Sequence, residues 1–345
     1  MKGPPRSIRD RSGPHPRRDH PALPRGSRAA YHRVMKVAPT LLRQLLALGV
    51  AAAALAASRA AAQGPPDPTP AVPLKFISVR PSEADPSIRS FDEPNLIVFN
   101  PDAGAQAPLA VFLPGTNGRP ANVRLLLSVI ASQGYRAIGL EYDDEPAVVQ
   151  VCVRDPDPDC SGRFRQERIY GDADRPPVVN PLQESIVQRL VKLLQFLDRQ
   201  EPQAHWGDYL SGDRPAWPRI VISGLSQGAG MAAYIAQREP VARVVLFSSP
   251  WDNHGQPREL APWIAGPSVT PPERWFAEFH RREATAALIA QAYRRLGIPE
   301  DHVAVFDLDL PEGGRGPNPF HGSTVRLPGY EPQWRWLYGS ATAAK

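Results

Sequence analysis

Cysteine is scarce in this 345-residue sequence: Cys152 and Cys160 are the only two. With no histidine set beside them at ligand spacing, they make no zinc site, and no metal is expected elsewhere. Internal repeats are absent, so a solenoid or propeller is excluded. Long apolar runs are nearly absent too. Residues 41–57 form the one extended run, and it is Ala-rich, short and only moderately hydrophobic for a membrane span. An excess of basic residues is missing from most of the chain. Overall, 40 Lys and Arg face 35 Asp and Glu, but residues 1–62 hold 12 of the former and two of the latter. From Gln63 onward the balance is therefore 28 against 33, a net charge of −5. That removes the charge argument for nucleic-acid binding by the folded part.

Residues 1–34 are rich in Pro, Arg and His without apolar periodicity, and read as a disordered extension or as sequence upstream of the true start. At Met35 the pattern changes to Met-Lys-Val, then the apolar run, then Ala60-Ala61-Ala62-Gln63. A basic start, an apolar centre and small residues at the end predict a signal peptide over 35–62, cleaved after Ala62. If it is not cleaved, it is a membrane anchor. Residues 63–73 form a Pro-rich linker. In an exported chain the two cysteines, eight positions apart, suggest a local disulfide, with two free thiols as the alternative.

One domain is expected over 74–345. Leu74–Val79, Leu96–Asn100 and Leu109–Leu113 read as strands, and Tyr135–Tyr142 as the next one after a helix at Ala121–Gln133. That βαβ unit predicts a mostly parallel sheet with helices on both faces. Residues 143–180 show no clear period and carry the cysteines, which suggests a stapled, structureless excursion over the sheet that serves as a lid. Pro181–Arg199 is a helix with Ile186, Leu190, Leu193, Leu194 and Leu197 on one stripe. Val241–Phe247, Trp275–His280 and Val303–Leu308 complete the strands, with a helix over Ala284–Leu296 and a short closing helix near Trp334–Tyr338.

The chain is organised around Ile220-Val221-Ile222-Ser223-Gly224-Leu225-Ser226-Gln227-Gly228-Ala229-Gly230. An apolar β-branched run, Gly-Leu-Ser-Gln-Gly and a stretch of small residues read as strand, sharp turn and helix. In such an elbow the serine is strained, so Gly224 and Gly228 must be small. Gly230, Ala232 and Ala233 would let the helix pack closely on the strands. Ser226 is then a nucleophile at a helix N-terminus.

With these residues on view, 95–340 resembles the α/β-hydrolase superfamily, and within it a group of exported bacterial hydrolases. The motifs are the elbow at 224–228, the Pro114-Gly115-Thr116-Asn117-Gly118 loop after an early strand, and a serine preceding a late loop histidine. Leu225 departs from the His or Tyr that commonly precedes the nucleophile there. The resemblance implies an α/β-hydrolase fold and a Ser-His-acid triad acting on an ester through an acyl-enzyme, with no cofactor. A peptidase or acyltransferase with the same triad, or a non-catalytic binding protein, are the alternatives. The implied substrate is a small or lipid-like ester. Of the five histidines after the leader, His205 precedes the serine, His254 lies too early, and His280 and His302 sit in or beside strands. His321, in Asn318-Pro319-Phe320-His321-Gly322, stands where the base belongs. Two acids remain open: Glu283, after the strand Trp275–His280, and Asp252, after the strand that follows the elbow helix. Element order favours Glu283. The oxyanion donors are expected at the backbone N–H groups of Gln227 and Thr116.

Overall fold

The computed structural model describes residues 72–255, 257–311 and 318–341. The expected extension, the signal peptide and all but the end of the linker lie outside the described residues. Runs of Val, Ile, Leu and Phe become eight strands of one sheet. These are β1 (Lys75–Val79), β2 (Asn95–Phe99), β3 (Leu109–Leu113), β4 (Arg136–Gly139), β5 (Ile220–Leu225), β6 (Arg243–Phe247), β7 (Trp275–His280) and β8 (Val303–Phe306). Their order is β1-β2-β4-β3-β5-β6-β7-β8. β2 runs antiparallel to both β1 and β4, and every other pairing is parallel. β2 to β5 are buried at every position, which is why they read as continuous apolar runs instead of alternating ones.

The longer helices among the described residues are α1 (Arg124–Ser132), α2 (Cys160–Tyr170), α3 (Ile186–Gln200), α4 (Gln227–Arg238), α5 (Ala286–Arg295) and α6 (Glu331–Tyr338). They divide between two apolar cores, one on each side of the sheet. α1 and α6 pack with Val98, Phe112, Val221 and Phe247. α2 to α5 pack with Val111, Ile222, Val244 and Leu246. α3 starts at Ile186, not at the expected Pro181, because the Ser185 side chain caps it there, accepting a hydrogen bond from the Gln188 N–H.

The expectation that 143–180 lacks regular structure is corrected. The segment holds a short helix at Val148–Cys152, the disulfide Cys152–Cys160, and the three-turn α2. α2 escaped pattern reading for a physical reason. Ser161, Arg165, Glu167 and Arg168 are all buried, so the helix has no apolar stripe to detect.

Candidate active site

β5 ends at Leu225, β6 at Phe247 and β7 at His280, three neighbouring parallel strands opening at one edge of the sheet. The carboxyl ends of strands are where sheets of this class bind ligands. Ser226 turns from β5 into α4 with φ 55° and ψ −120°, a conformation side chains rarely adopt. Its amide donates to the Phe247 carbonyl at 2.9 Å, tying the elbow to β6. The flanking glycines are sterically required. A Cβ on Gly228 would lie 2.0 Å from the Leu113 carbonyl oxygen, and one on Gly224 2.5 Å from Gly228 itself. Gly230 acts otherwise than its pattern suggests. A Cβ there would lie 2.2 Å from the Arg165 guanidinium, so this glycine admits α2 and not the strands.

Glu283, three residues beyond β7, is buried, and both its oxygens are engaged. Oε2 lies 2.6 Å from His321 Nδ1. Oε1 accepts from the Ser248 hydroxyl at 2.5 Å and from the His280 N–H at 2.8 Å. With Nδ1–H donated to the carboxylate, His321 keeps its Nε2 lone pair free. His321 makes this side-chain bond and none to Ser226 among the described residues. Its loop is braced from below: the His280 ring stacks on Phe320 with centroids 4.5 Å apart. His280 is itself held, with Nε2 facing the Leu308 carbonyl at 3.0 Å and Nδ1 accepting from the Arg282 N–H. His302 faces the Trp275 carbonyl and stacks on Phe276.

Asp252 lines the same cleft as Ser226 but has other partners than His321. Its two oxygens take a forked ion pair from Arg165, Nη2 at 2.6 Å and Nε at 2.7 Å, and a bond from Trp263 Nε1 at 3.0 Å. Arg165 is wholly buried and Asp252 nearly so. The two carboxylates considered for one role therefore face different partners.

The Pro114–Gly118 loop lies directly against the serine: a Cβ on Gly115 would sit 3.0 Å from Ser226 Cβ. Gly118 N–H bonds to the Gly115 carbonyl at 2.7 Å and also to Asp144 Oδ2 at 3.1 Å, fixing the turn. Burial pushes the Asp144 carboxyl up to about 6 despite that bond. Thr116, Ser226 and Gln227 line one cleft together with Val148, Val149, Trp251, Arg165 and Asp252. The Gln227 amide is the first of α4, with no acceptor inside the helix. Its side chain bridges the cleft's rim, with Nε2 donating to the Asp144 carbonyl and Oε1 accepting from Val148 N–H, both at 2.7 Å.

Behind Glu283 lies a group the sequence did not reveal. Glu278 on β7 is completely buried, and burial first, then the charge of Glu283, push its carboxyl well above the usual range. A lone Glu in an otherwise apolar strand (Trp-Phe-Ala-Glu-Phe-His) was the available signal. No group of three or more potential metal ligands occurs among the described residues.

A mostly parallel eight-stranded sheet with a serine elbow after β5 defines the α/β-hydrolase fold. No family model matches this chain, and no curated protein does. Solved structures of similar shape include the C6-C4 SN3 inhibited esterase B from Lactobacillus rhamnosis, 14% identical, covering 88% of this chain and 96% of its own, with a TM-score of 0.47. A hormone-sensitive lipase from a metagenome library is 15% identical over 73% of this chain and 82% of its own, TM-score 0.41. A bacterial heroin esterase is 13% identical over 81% and 86%, TM-score 0.41. These are likenesses at low identity, and the chemistry of this chain rests on its own residues.

Proposed function

We propose that the protein is an exported serine hydrolase that cleaves an ester through an acyl-enzyme. One observation carries the reading: a strained elbow serine shares a cleft with Thr116 and Gln227, while His321 is oriented by Glu283 at the neighbouring strand ends. In the proposed sequence, Ser226 Oγ attacks the ester carbonyl carbon as His321 Nε2 takes its proton. Glu283 stabilises the imidazolium that forms and holds the ring with Nε2 toward the serine. The carbonyl oxygen becomes an oxyanion facing the Thr116 and Gln227 N–H groups. His321 then returns its proton to the departing alkoxide, and the alcohol leaves. A water, deprotonated by the same nitrogen, attacks the acyl carbon; the bond to Ser226 Oγ breaks, Oγ takes the proton back from His321, and the carboxylic acid leaves.

Export is supported by the residue 35–62 pattern and by the Cys152–Cys160 disulfide, a bond that persists in oxidising compartments. Among the described residues no helix is long and apolar enough to cross a membrane.

Two measurements test the proposal together. A fluorophosphonate probe should label the wild-type protein at Ser226. Ser226→Ala should fold, escape labelling and lose at least about a thousandfold in kcat on p-nitrophenyl acetate. Labelling of the variant, or retention of more than about a tenth of kcat, a barrier change under ~1.4 kcal/mol, would sink the nucleophile assignment.

A further inference from the structure

The cleft at Ser226 is small, about 30 Å³. Beyond the serine and Thr116 its lining includes Val148, Val149 and Trp251, together with the paired Arg165 and Asp252. What decides whether so small a space reflects the substrate is whether its walls can withdraw. A wall that swings open places no limit on what enters; one fixed by buried bonds does.

The wall carrying Val148 and Val149 is tied at four points. The Gln227 side chain holds its start, bonding the Asp144 carbonyl and the Val148 N–H. Cys152, at the end of the short helix, is covalently joined to Cys160, at the start of α2. Arg165 on α2 forks onto Asp252, one residue from Trp251, and its Nη1 lies 3.3 Å from the Gln227 carbonyl. Arg168, one turn further along α2, reaches back to Asp143, to the Glu145 carbonyl and to Asn180. The central pair matters most. Arg165 is 0% exposed and Asp252 3%, so lifting α2 away would strand two charges in an apolar interior. Arg165 also spans the two walls, linking the segment before it to the loop that bears Trp251.

We infer that residues 144–168 form a fixed stop for the acyl group, and that Val149 and Trp251 restrict this enzyme to esters of short-chain acids. The inference rests on the ester-hydrolase reading above and replaces the expectation of a lid over the sheet. The carbonyl carbon sits at Ser226 and its oxygen toward Thr116 and Gln227. The acyl chain then has only the space between Val149 and Trp251, and a long one meets both side chains.

The test is kcat/KM for p-nitrophenyl esters from acetate to decanoate, on wild-type protein and on Val149→Ala and Trp251→Ala separately. Wild type should favour acetate or butyrate over octanoate by ~10-fold or more, in the range a pocket wall can impose per methylene. Each variant should narrow that ratio by ~10-fold on the same grounds. Rate against tributyrin concentration should rise smoothly through the solubility limit, since no cover has to open. If no ester is hydrolysed and the fluorophosphonate does not react, the nucleophile reading falls and this inference with it. A wild-type profile that is flat or rises with chain length, or a rate jump at the solubility limit, overturns the stop alone and leaves Ser226 standing. A short-chain preference unmoved in folded Val149→Ala and Trp251→Ala overturns the assignment of these two walls.

Discussion

Glu283→Gln and Asp252→Asn each replace a buried carboxylate with an amide, in surroundings that differ in what the lost charge faces. At Glu283 the carboxylate meets His321 Nδ1 on one side and the Ser248 hydroxyl and His280 N–H on the other. A glutamine can keep its carbonyl toward Ser248 and His280 only by turning its NH₂ to His321. The ring then takes the tautomer with Nε2 protonated, and the base is lost. The imidazolium formed during attack also loses its counter-charge, so kcat should fall about 10⁴-fold, ~5 kcal/mol of barrier. The fold should change little, since the polar contacts are mostly re-made. Asp252→Asn reverses the pattern. Arg165, with no solvent access, is left with half its fork, and breaking such a pair costs about 3–5 kcal/mol. At roughly 2–4 °C per kcal/mol for a domain of this size, Tm should drop by on the order of 10 °C. Measured below that Tm, kcat on p-nitrophenyl acetate should stay within about tenfold of wild type, because no step of the proposed chemistry passes through Asp252. The assay is therefore two-dimensional, kcat and Tm for each variant. If Asp252→Asn abolishes turnover in a protein of unchanged Tm while Glu283→Gln stays active, the acid has been assigned to the wrong residue.

Two further outcomes follow from the same contacts. The Cys152–Cys160 bridge closes a loop with a sequence separation of 8. Chain entropy for a loop that short gives about 2–3 kcal/mol, so Cys152→Ser with Cys160→Ser should lower the urea-unfolding free energy by that amount. An unchanged midpoint would mean that the buried ion pairs alone order this segment. The pH dependence of stability should carry the mark of two buried acids. Burial, opposed by Arg119, pushes Glu141 up to about 8, and burial pushes Glu278 well above its ordinary value. Both hold a proton in the folded chain that the unfolded chain releases near 4.5. Their contribution is whole below that pH and is lost as pH rises through the folded values. Between pH 5 and 8, Glu141→Gln or Glu278→Gln should therefore flatten the decline in unfolding free energy by up to ~1.4 kcal/mol per pH unit. Slopes identical to wild type in both variants would show that neither acid is protonated in the folded state.

What could be read from the sequence divides along a physical line. The strands, the elbow and the order of Ser226, Glu283 and His321 are properties of local pattern and chain order. Local pattern survives in a sequence because neighbours in the chain remain neighbours in the fold. The Arg165–Asp252 pair links positions 87 residues apart on a helix without an apolar face, and pattern reading has no purchase on it. Hydrophobic periodicity detects helices that bury apolar side chains against one neighbour. α2 instead buries Ser161, Arg165, Glu167 and Arg168, so its partners are hydrogen-bond acceptors scattered over distant loops. Ser248 and Glu278 escaped for a related reason: at a strand end and inside a strand, their chemistry depends on what the adjacent strand brings alongside. Gly230 shows how far a single residue can carry such an argument. Its bare backbone signals correctly that something approaches α4 closely. Only the three-dimensional arrangement reveals that the approaching group is a guanidinium and not the sheet, and therefore that the helix behind the nucleophile is shaped to admit the ion pair that fixes the wall of its own cleft.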